Sequence, residues 1–277
     1  MVVIKIGDGM GNQLFNYACG YATARRDGDR LMLDTSECDN STLRDFELDN
    51  FHLKYDARET FPNNNIFQKL YKRIRRNLKY RVIMERGMYG RKDGHYAPAD
   101  MDMRVFEKKR LRNKYLHGYW QYLPYFEEYL DEIREMMTPA YEQSDRVKEL
   151  IQEFQTTNTC ALHVRGGDIV GPGKVFFEKA IARMQEEHPG VRFVAFTNDM
   201  EKAKAALTGA DVRFVTELGT FSDVDEFFLM AACQNQIISN STFSTWAAYL
   251  NPNENKTVIM PDYELGEYMK LKDWIVL

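Results

Sequence analysis

Apolar and polar positions alternate in two rhythms along this 277-residue chain. Residues 2–6 form a short β-branched run that stops at Gly7, the pattern of a strand buried in a parallel sheet. From Gly11 to Arg26 the spacing turns helical, with Leu14, Phe15, Ala18, Tyr21 and Ala22 on one face. Residues 31–33 then read as a second strand ending in Asp34. This β-α-β opening is the unit that builds parallel sheets covered by helices.

Periodicity weakens over residues 35–115. An Asn/Pro break (Pro62, Asn63, Asn64, Asn65), a basic helical segment and an irregular stretch near 88–104 fill that interval. Residues 115–119 are predicted as a strand, and 122–137 as a helix stopped by Pro139. From residue 141 the alternation becomes regular. Helices are predicted over 141–155, 174–187, 200–207, 223–234 and 244–250, and strands over 159–164, 191–197, 212–215, 236–239 and 257–260. Five strands alternating with helices make a doubly wound α/β domain. The seam between the halves falls at 138–143, so the expected domains are 1–140 and 141–277.

Composition narrows the function classes. Hydrophobic residues are 44% and charged residues 28%, which fits a well-filled core. A formal net charge of −4 argues against a nucleic-acid binder dominated by phosphate contacts. No apolar run approaches the roughly 20 residues that cross a bilayer. The amino-terminal MVVIKIGDGMGN lacks the basic and apolar regions of a signal peptide and reads as a strand. The cysteines (Cys19, Cys38, Cys160, Cys233) are scattered, which favours free thiols in a reducing cytoplasm.

In open parallel sheets ligands sit beyond the carboxyl ends of the strands, so the residues there carry the chemistry. The first strand ends in Gly7-Asp8-Gly9-Met10-Gly11-Asn12-Gln13, where glycines let the backbone approach a ligand at a helix start. With Asp34 at the end of the next strand this resembles a dinucleotide fingerprint, but Asn12 stands at the third glycine position. A turn without a ligand fits the same residues. The strand over 159–164 runs into His163-Val164-Arg165-Gly166-Gly167-Asp168. Arg165 could present a bidentate fork to phosphate, or it could pair with Asp168 within the turn.

Residues 237–248 place Ser239, Asn240, Ser241, Thr242, Ser244 and Thr245 between a strand and a helix. One helix cap does not need that many hydroxyls and amides, whereas an anion cradle does. Asn198 and Asp199 end another strand as either a cap or a nucleotide contact. Gly118-Tyr119-Trp120-Gln121 could pack in the core or receive a sugar.

Taken together, these segments resemble glycosyltransferase family 11, the α-1,2-fucosyltransferases. Residues 9–18 are similar to the family's amino-terminal motif, 163–168 to its His-x-Arg-Arg-x-Asp motif, and 238–248 to its Ser-Asn-Ser-Thr-Phe-Ser-x-Trp motif. Residues 118–121 are similar to its Gly-Tyr-Trp-Gln block.

The resemblance implies a B-type glycosyltransferase fold, two Rossmann-like domains facing a cleft. It also implies inverting transfer of fucose from GDP-fucose to a terminal β-galactoside without a metal or other cofactor. Arg165, Asp168 and His163 are the expected catalytic residues, with Asp8 and Glu178 as further candidates for the base. The expected donor contacts are Gly9, Gly11, Asn12, Gln13, Asn198, Asp199, Asn240, Ser241, Thr242 and Ser244. The expected acceptor contacts are Tyr119, Trp120 and Gln121. Gly166 departs from the family, which has a second arginine there, and Thr245 stands where tryptophan is common.

Three Asp-x-Asp pairs (Asp27/Asp29, Asp100/Asp102, Asp223/Asp225) are of the kind that holds manganese in another glycosyltransferase class, though one or two arise by chance in a chain this acidic. Residues 66–81 combine seven basic side chains with an apolar helical stripe. That helix either packs on the core or rests on anionic lipid at the inner face of a membrane. A nicotinamide-dependent oxidoreductase and a non-catalytic glycan-binding protein are the competing functions.

Overall fold

A computed structural model describes residues 1–39, 42, 45–60, 76, 79–85, 102–108, 113–166 and 171–277. They form two compact units, Met1–Ala140 and Tyr141–Leu277.

The first unit holds five parallel strands: β1 (Val2–Lys5), β2 (Leu31–Asp34), β3 (Ala57–Glu59), β4 (Tyr80–Met84) and β5 (Asn113–His117). Their order is β3-β2-β1-β5-β4, which sets β1 at the centre between β2 and β5. β1 and β2 are almost wholly buried, which accounts for their unbroken apolar runs. Helix α1 (Met10–Asp27) follows β1, and Arg25 and Arg26 in its last turn offset the negative end of its dipole. A short α2 (Ser36–Asp39) follows β2.

The second unit holds β6 (Thr159–Val164), β7 (Arg192–Thr197), β8 (Val212–Phe214), β9 (Asn235–Ile237), β10 (Val258–Met260) and β11 (Ile275–Val276). The order β11-β10-β9-β6-β7-β8, again parallel, reverses between β6 and β9. Helices α4 (Asp145–Thr156), α5 (Lys174–Glu187), α6 (Met200–Ala206), α7 (Asp223–Ala232) and α8 (Thr242–Leu250) link these strands, and a one-turn α9 (Gly266–Met269) precedes β11. On α4, Val147, Leu150 and Phe154 bury one stripe, and the Ser144 side chain caps the helix by accepting from the Val147 N–H. Cys160, Leu162, Val164, Phe177, Ala180, Phe193 and Ile237 form the centre of this unit's core.

Three expectations need correction. The strand predicted over 115–119 ends at His117, so residues 118–121 form a loop. The helix predicted over 122–137 is two 3-10 turns followed by α3 (Leu130–Met136). Leu123 and Tyr125 are both buried, yet residues two apart point about 200° apart on an α-helix, and Phe126 leaves helical geometry at φ −140°. Of the segment 66–81, Tyr80 and Arg81 begin β4 rather than end a helix, and most of the remainder lies outside the described residues. Among the described residues no helix is long and apolar enough to cross a membrane.

Candidate functional site

In the second unit the two sequence motifs meet where the sheet reverses. His163 lies near the end of β6, and its Nδ1 is 2.8 Å from the Ser239 hydroxyl just past β9. The His163 ring also stacks on Phe243 in the first turn of α8, with centroids 5.8 Å apart. Phe243 packs in turn against Phe227 of α7, at 5.5 Å. These contacts place Arg165, two residues beyond His163, at the reversal between β6 and β9. That is the position where doubly wound sheets receive ligands.

The hydroxyl-rich segment divides into two jobs. The Ser244 and Thr245 hydroxyls both donate to the Ser241 carbonyl, at 3.1 and 3.0 Å, and Ser239 serves His163. Ser244 is therefore a brace rather than a direct donor contact. Ser241, at the N-cap, makes no side-chain cap, so the first-turn N–H groups of α8 are not covered from that side. Ser241 is buried, whereas Asn240 and Thr242 are half-buried. A helix start of this kind attracts an anion through both its N–H groups and its dipole.

Several predicted residues turn out to be scaffold. His163 is buried and its pKa is pushed down to about 3, first by burial and then by Arg165. The ring is neutral near pH 7 and is engaged with Ser239. The Asn198 side-chain oxygen accepts from the Gly166 N–H at 2.8 Å, tying the Arg165 turn to the end of β7. Asp199 caps α6 through the Lys202 N–H. Glu178 is exposed on α5 and pairs with Lys174 at 3.6 Å, away from a base role. Asp168 lies outside the described residues.

Gly166 has a steric reason. A Cβ there would stand 2.1 Å from the Asp199 Cβ, so no side chain fits while the turn keeps this course. The second arginine of the family pattern is absent because its position is filled.

The first unit presents a different end. Among the described residues, the non-glycine residues with left-handed backbone are Asp8 at φ 61° and Trp120 at φ 55°. They follow β1 and β5, which are neighbours at the centre of this sheet. Gly9 is the N-cap of α1, and Asn12 in the first turn accepts from the Gln121 side chain at 2.7 Å. Gly11 is buried within α1.

Gln13 is wholly buried, donates to the carbonyls of Asp8 and Asp45 and accepts from the Glu47 N–H. Its amide is spent on the backbone, so its donor assignment is corrected to structural. Trp120 is likewise fully buried against Tyr125, and Gln121 is buried and engaged with Asn12. Of the predicted acceptor trio, Tyr119 alone stays half-exposed.

Asp34 decides against the dinucleotide reading. Its carboxylate is buried and accepts from Ser36 and from the Tyr115 hydroxyl, leaving nothing to greet a ribose.

Sequence reasoning passed over a charged group at the carboxyl ends of β1 and β5. The Lys5 ammonium pairs with Glu37 and donates to His117 Nε2 at 3.1 Å. Burial, followed by Lys5, pushes the His117 pKa down to about 4. Lys5 and His117 are the last residues of their strands, a position that was readable once the strand ends were fixed. Glu226 was also missed: burial, then the neighbouring Asp223, lifts its pKa to about 7 on α7.

Four of the described Asp-x-Asp aspartates, Asp27, Asp29, Asp102 and Asp225, have structural partners. Asp27 pairs with buried Lys114 at 2.9 Å, and Asp29 holds the amino terminus. Asp102 pairs with Arg104. Asp225 completes a capping box with the N-cap Ser222 and accepts from the Tyr141 hydroxyl at 2.6 Å.

Comparison with known proteins gives one consistent result. Residues 1–277 match the family described as Glycosyl transferase family 11. The O-antigen biosynthesis glycosyltransferase WbnK of Escherichia coli is 29% identical over 286 residues, covering 92% of this chain and 92% of that protein. An α-1,2-colitosyltransferase of Escherichia coli is 27% identical over 277 residues, covering 94% and 91%. The crystal structure of NodZ α-1,6-fucosyltransferase, co-crystallised with GDP, shares the fold at a TM-score of 0.55 and 17% identity, with 94% of each chain covered. The match spans the whole chain, and both units have Rossmann-like parallel sheets with motif residues at the carboxyl ends of their strands; the chain belongs to glycosyl transferase family 11.

Proposed function

We propose that the protein transfers L-fucose from GDP-fucose to the 2-hydroxyl of a terminal β-galactoside, inverting the anomeric centre in one displacement. The observation that carries this reading is the junction of His163 with Ser239 and Phe243, which joins the Arg165 turn to the start of α8.

As the bond to the sugar breaks, negative charge builds on the departing diphosphate. Arg165 and the first-turn amides of α8 are the groups that would stabilise it, and they need no reorganisation as the charge appears. His163 stays neutral and holds the two segments together. Asn198 fixes the turn at Gly166.

In the first unit, the loop after β5 and the start of α1 are the proposed acceptor side. Asp168 and Asp8 are the carboxylates proposed to take the proton of the attacking hydroxyl; Asp8 has a half-buried side chain beside the α1 N-cap. No metal is assigned a role, and Asp27, Asp29, Asp102 and Asp225 of the Asp-x-Asp pairs are engaged elsewhere in the fold. Contact of residues 66–81 with anionic lipid is a separate proposal, tested by vesicle sedimentation after charge reversal at Arg73, Arg75 and Arg76.

The test is a donor screen of GDP-fucose, GDP-mannose and UDP-sugars against galactosides in EDTA, with linkage read by NMR. An α-1,2-fucosylated galactoside formed in EDTA is the expected product. Transfer only from another nucleotide sugar, or only with added manganese, would overturn the proposal.

A further inference from the structure

We propose that Glu85 is the positioning residue for the acceptor, acting through the loop over residues 118–121. This inference rests on the acceptor-side reading given above.

Glu85 directly follows β4 and is only 3% exposed. One of its carboxylate oxygens accepts from two successive backbone amides, Tyr119 N–H at 2.7 Å and Trp120 N–H at 2.9 Å. Successive amides converging on one anion form a nest, a backbone arrangement that a negative charge stabilises. Here the anion is the protein's own side chain, and its effect is to hold Trp120 at φ 55°. A bulky aromatic residue persists in that region only when its surroundings fix it there.

The rest of the loop is fixed from the other side. Asn16, a polar residue on the buried side of α1, donates its amide to the carbonyls of Gly118 at 2.8 Å and Tyr119 at 3.4 Å. A Cβ at Gly118 would lie 2.4 Å from the Glu85 Cβ, so the loop packs directly on Glu85. Gln121 is anchored to Asn12 at 2.7 Å. Carbonyls, amides and the following side chain are each assigned a partner.

This clamp buries Trp120 and Gln121 and leaves Tyr119 half-exposed at the carboxyl end of β5, beside β1. Glu85 therefore sets the direction of the one residue of the trio that can meet a sugar, without touching the sugar itself. Charge matters more than shape in this role, because a hydrogen bond to an ionised acceptor is roughly twice as strong as a neutral one.

The experiment compares Glu85→Gln with wild type in steady-state kinetics, varying lactose at saturating GDP-fucose and then the reverse, with calorimetric titration of GDP alongside. The expected result is a KM for lactose raised about ten-fold, the share of one charge-assisted bond, with GDP affinity within about two-fold of wild type. An unchanged lactose KM would overturn the inference. So would a parallel weakening of lactose KM and GDP binding, the mark of general loosening. Glu85→Ala is expected to shift lactose KM further, and if it fails to fold, Glu85→Gln decides alone. Wild-type protein that makes no fucosylated lactose refutes the functional reading and this inference with it. Active wild type with an indifferent Glu85→Gln refutes this inference only.

Discussion

Each sheet sets two motif-bearing strands side by side, β6 and β9 in the second unit and β1 and β5 in the first, and the two strand ends are furnished by different means. Between β6 and β9 side chains do the fastening among the described residues: His163 to Ser239, Asn198 to Gly166, Ser244 and Thr245 to the Ser241 carbonyl. Between β1 and β5 the backbone itself is off the usual path, at Asp8 and Trp120, and buried Gln13, Asn16 and Glu85 hold it there. The difference follows from what each end is proposed to hold. A diphosphate is recognised by N–H groups and a guanidinium, which a strand–turn–helix supplies in standard geometry. A sugar hydroxyl must be met by a particular side chain at a particular angle, and that asks for backbone in a less common conformation.

The sharpest way to break this contrast is Arg165→Ala. Loss of one charge-stabilising group costs on the order of 10² to 10³ in kcat, with far-UV circular dichroism unchanged. Near-normal turnover would remove the second unit from the chemistry.

His163→Leu comes next. It strands the buried Ser239 hydroxyl, at a cost of about 1–3 kcal/mol, and should weaken GDP binding while lactose KM holds. If lactose KM moved instead, the division between the two ends would be wrong.

Gly166→Arg restores the family's residue and is predicted to lower the melting temperature, since overpacking costs about 1–3 kcal/mol. Adding Asp199→Gly should recover part of that loss. A single variant with raised stability and activity would show that the turn has room after all.

The smallest effects concern pH. His163 and His117, near the ends of β6 and β5, have folded pKa values below their unfolded ones, about 3 and about 4. The unfolded chain then binds more protons, so their contribution is full above about pH 6.5 and is lost as pH falls through these values. Asn substitutions at either position should flatten the fall in melting temperature below pH 6. Glu226 runs the other way: its raised pKa gives stability below about pH 4.5 that is lost as pH rises through about 7. Glu226→Gln should therefore raise the melting temperature at pH 8 and leave it unchanged at pH 4.

The contrast also explains what could be read from the chain. β6 and α5 match their predicted bounds, because unbroken buried runs and helical stripes bounded by Gly and Pro are local signals. β3 was missed because all three of its residues are exposed at a sheet edge, so it has no apolar run to mark it. The motif segments were visible, but not the division of labour within them. Ser239, Asn198 and Gln13 look like ligand contacts in sequence, and only the fold reveals that their polar groups are paired within the protein. Glu85 gave no warning at all, since its partners are backbone amides more than thirty residues away.

The central claim is that a diphosphate seats on the Arg165 turn and the start of α8. Hydrogen–deuterium exchange with and without GDP reads this directly. The account predicts slowed exchange at residues 165–166 and 241–244, with that protection weakened in Arg165→Ala. Protection confined to the β1 and β5 loops of the first unit, or none at the start of α8, would contradict it.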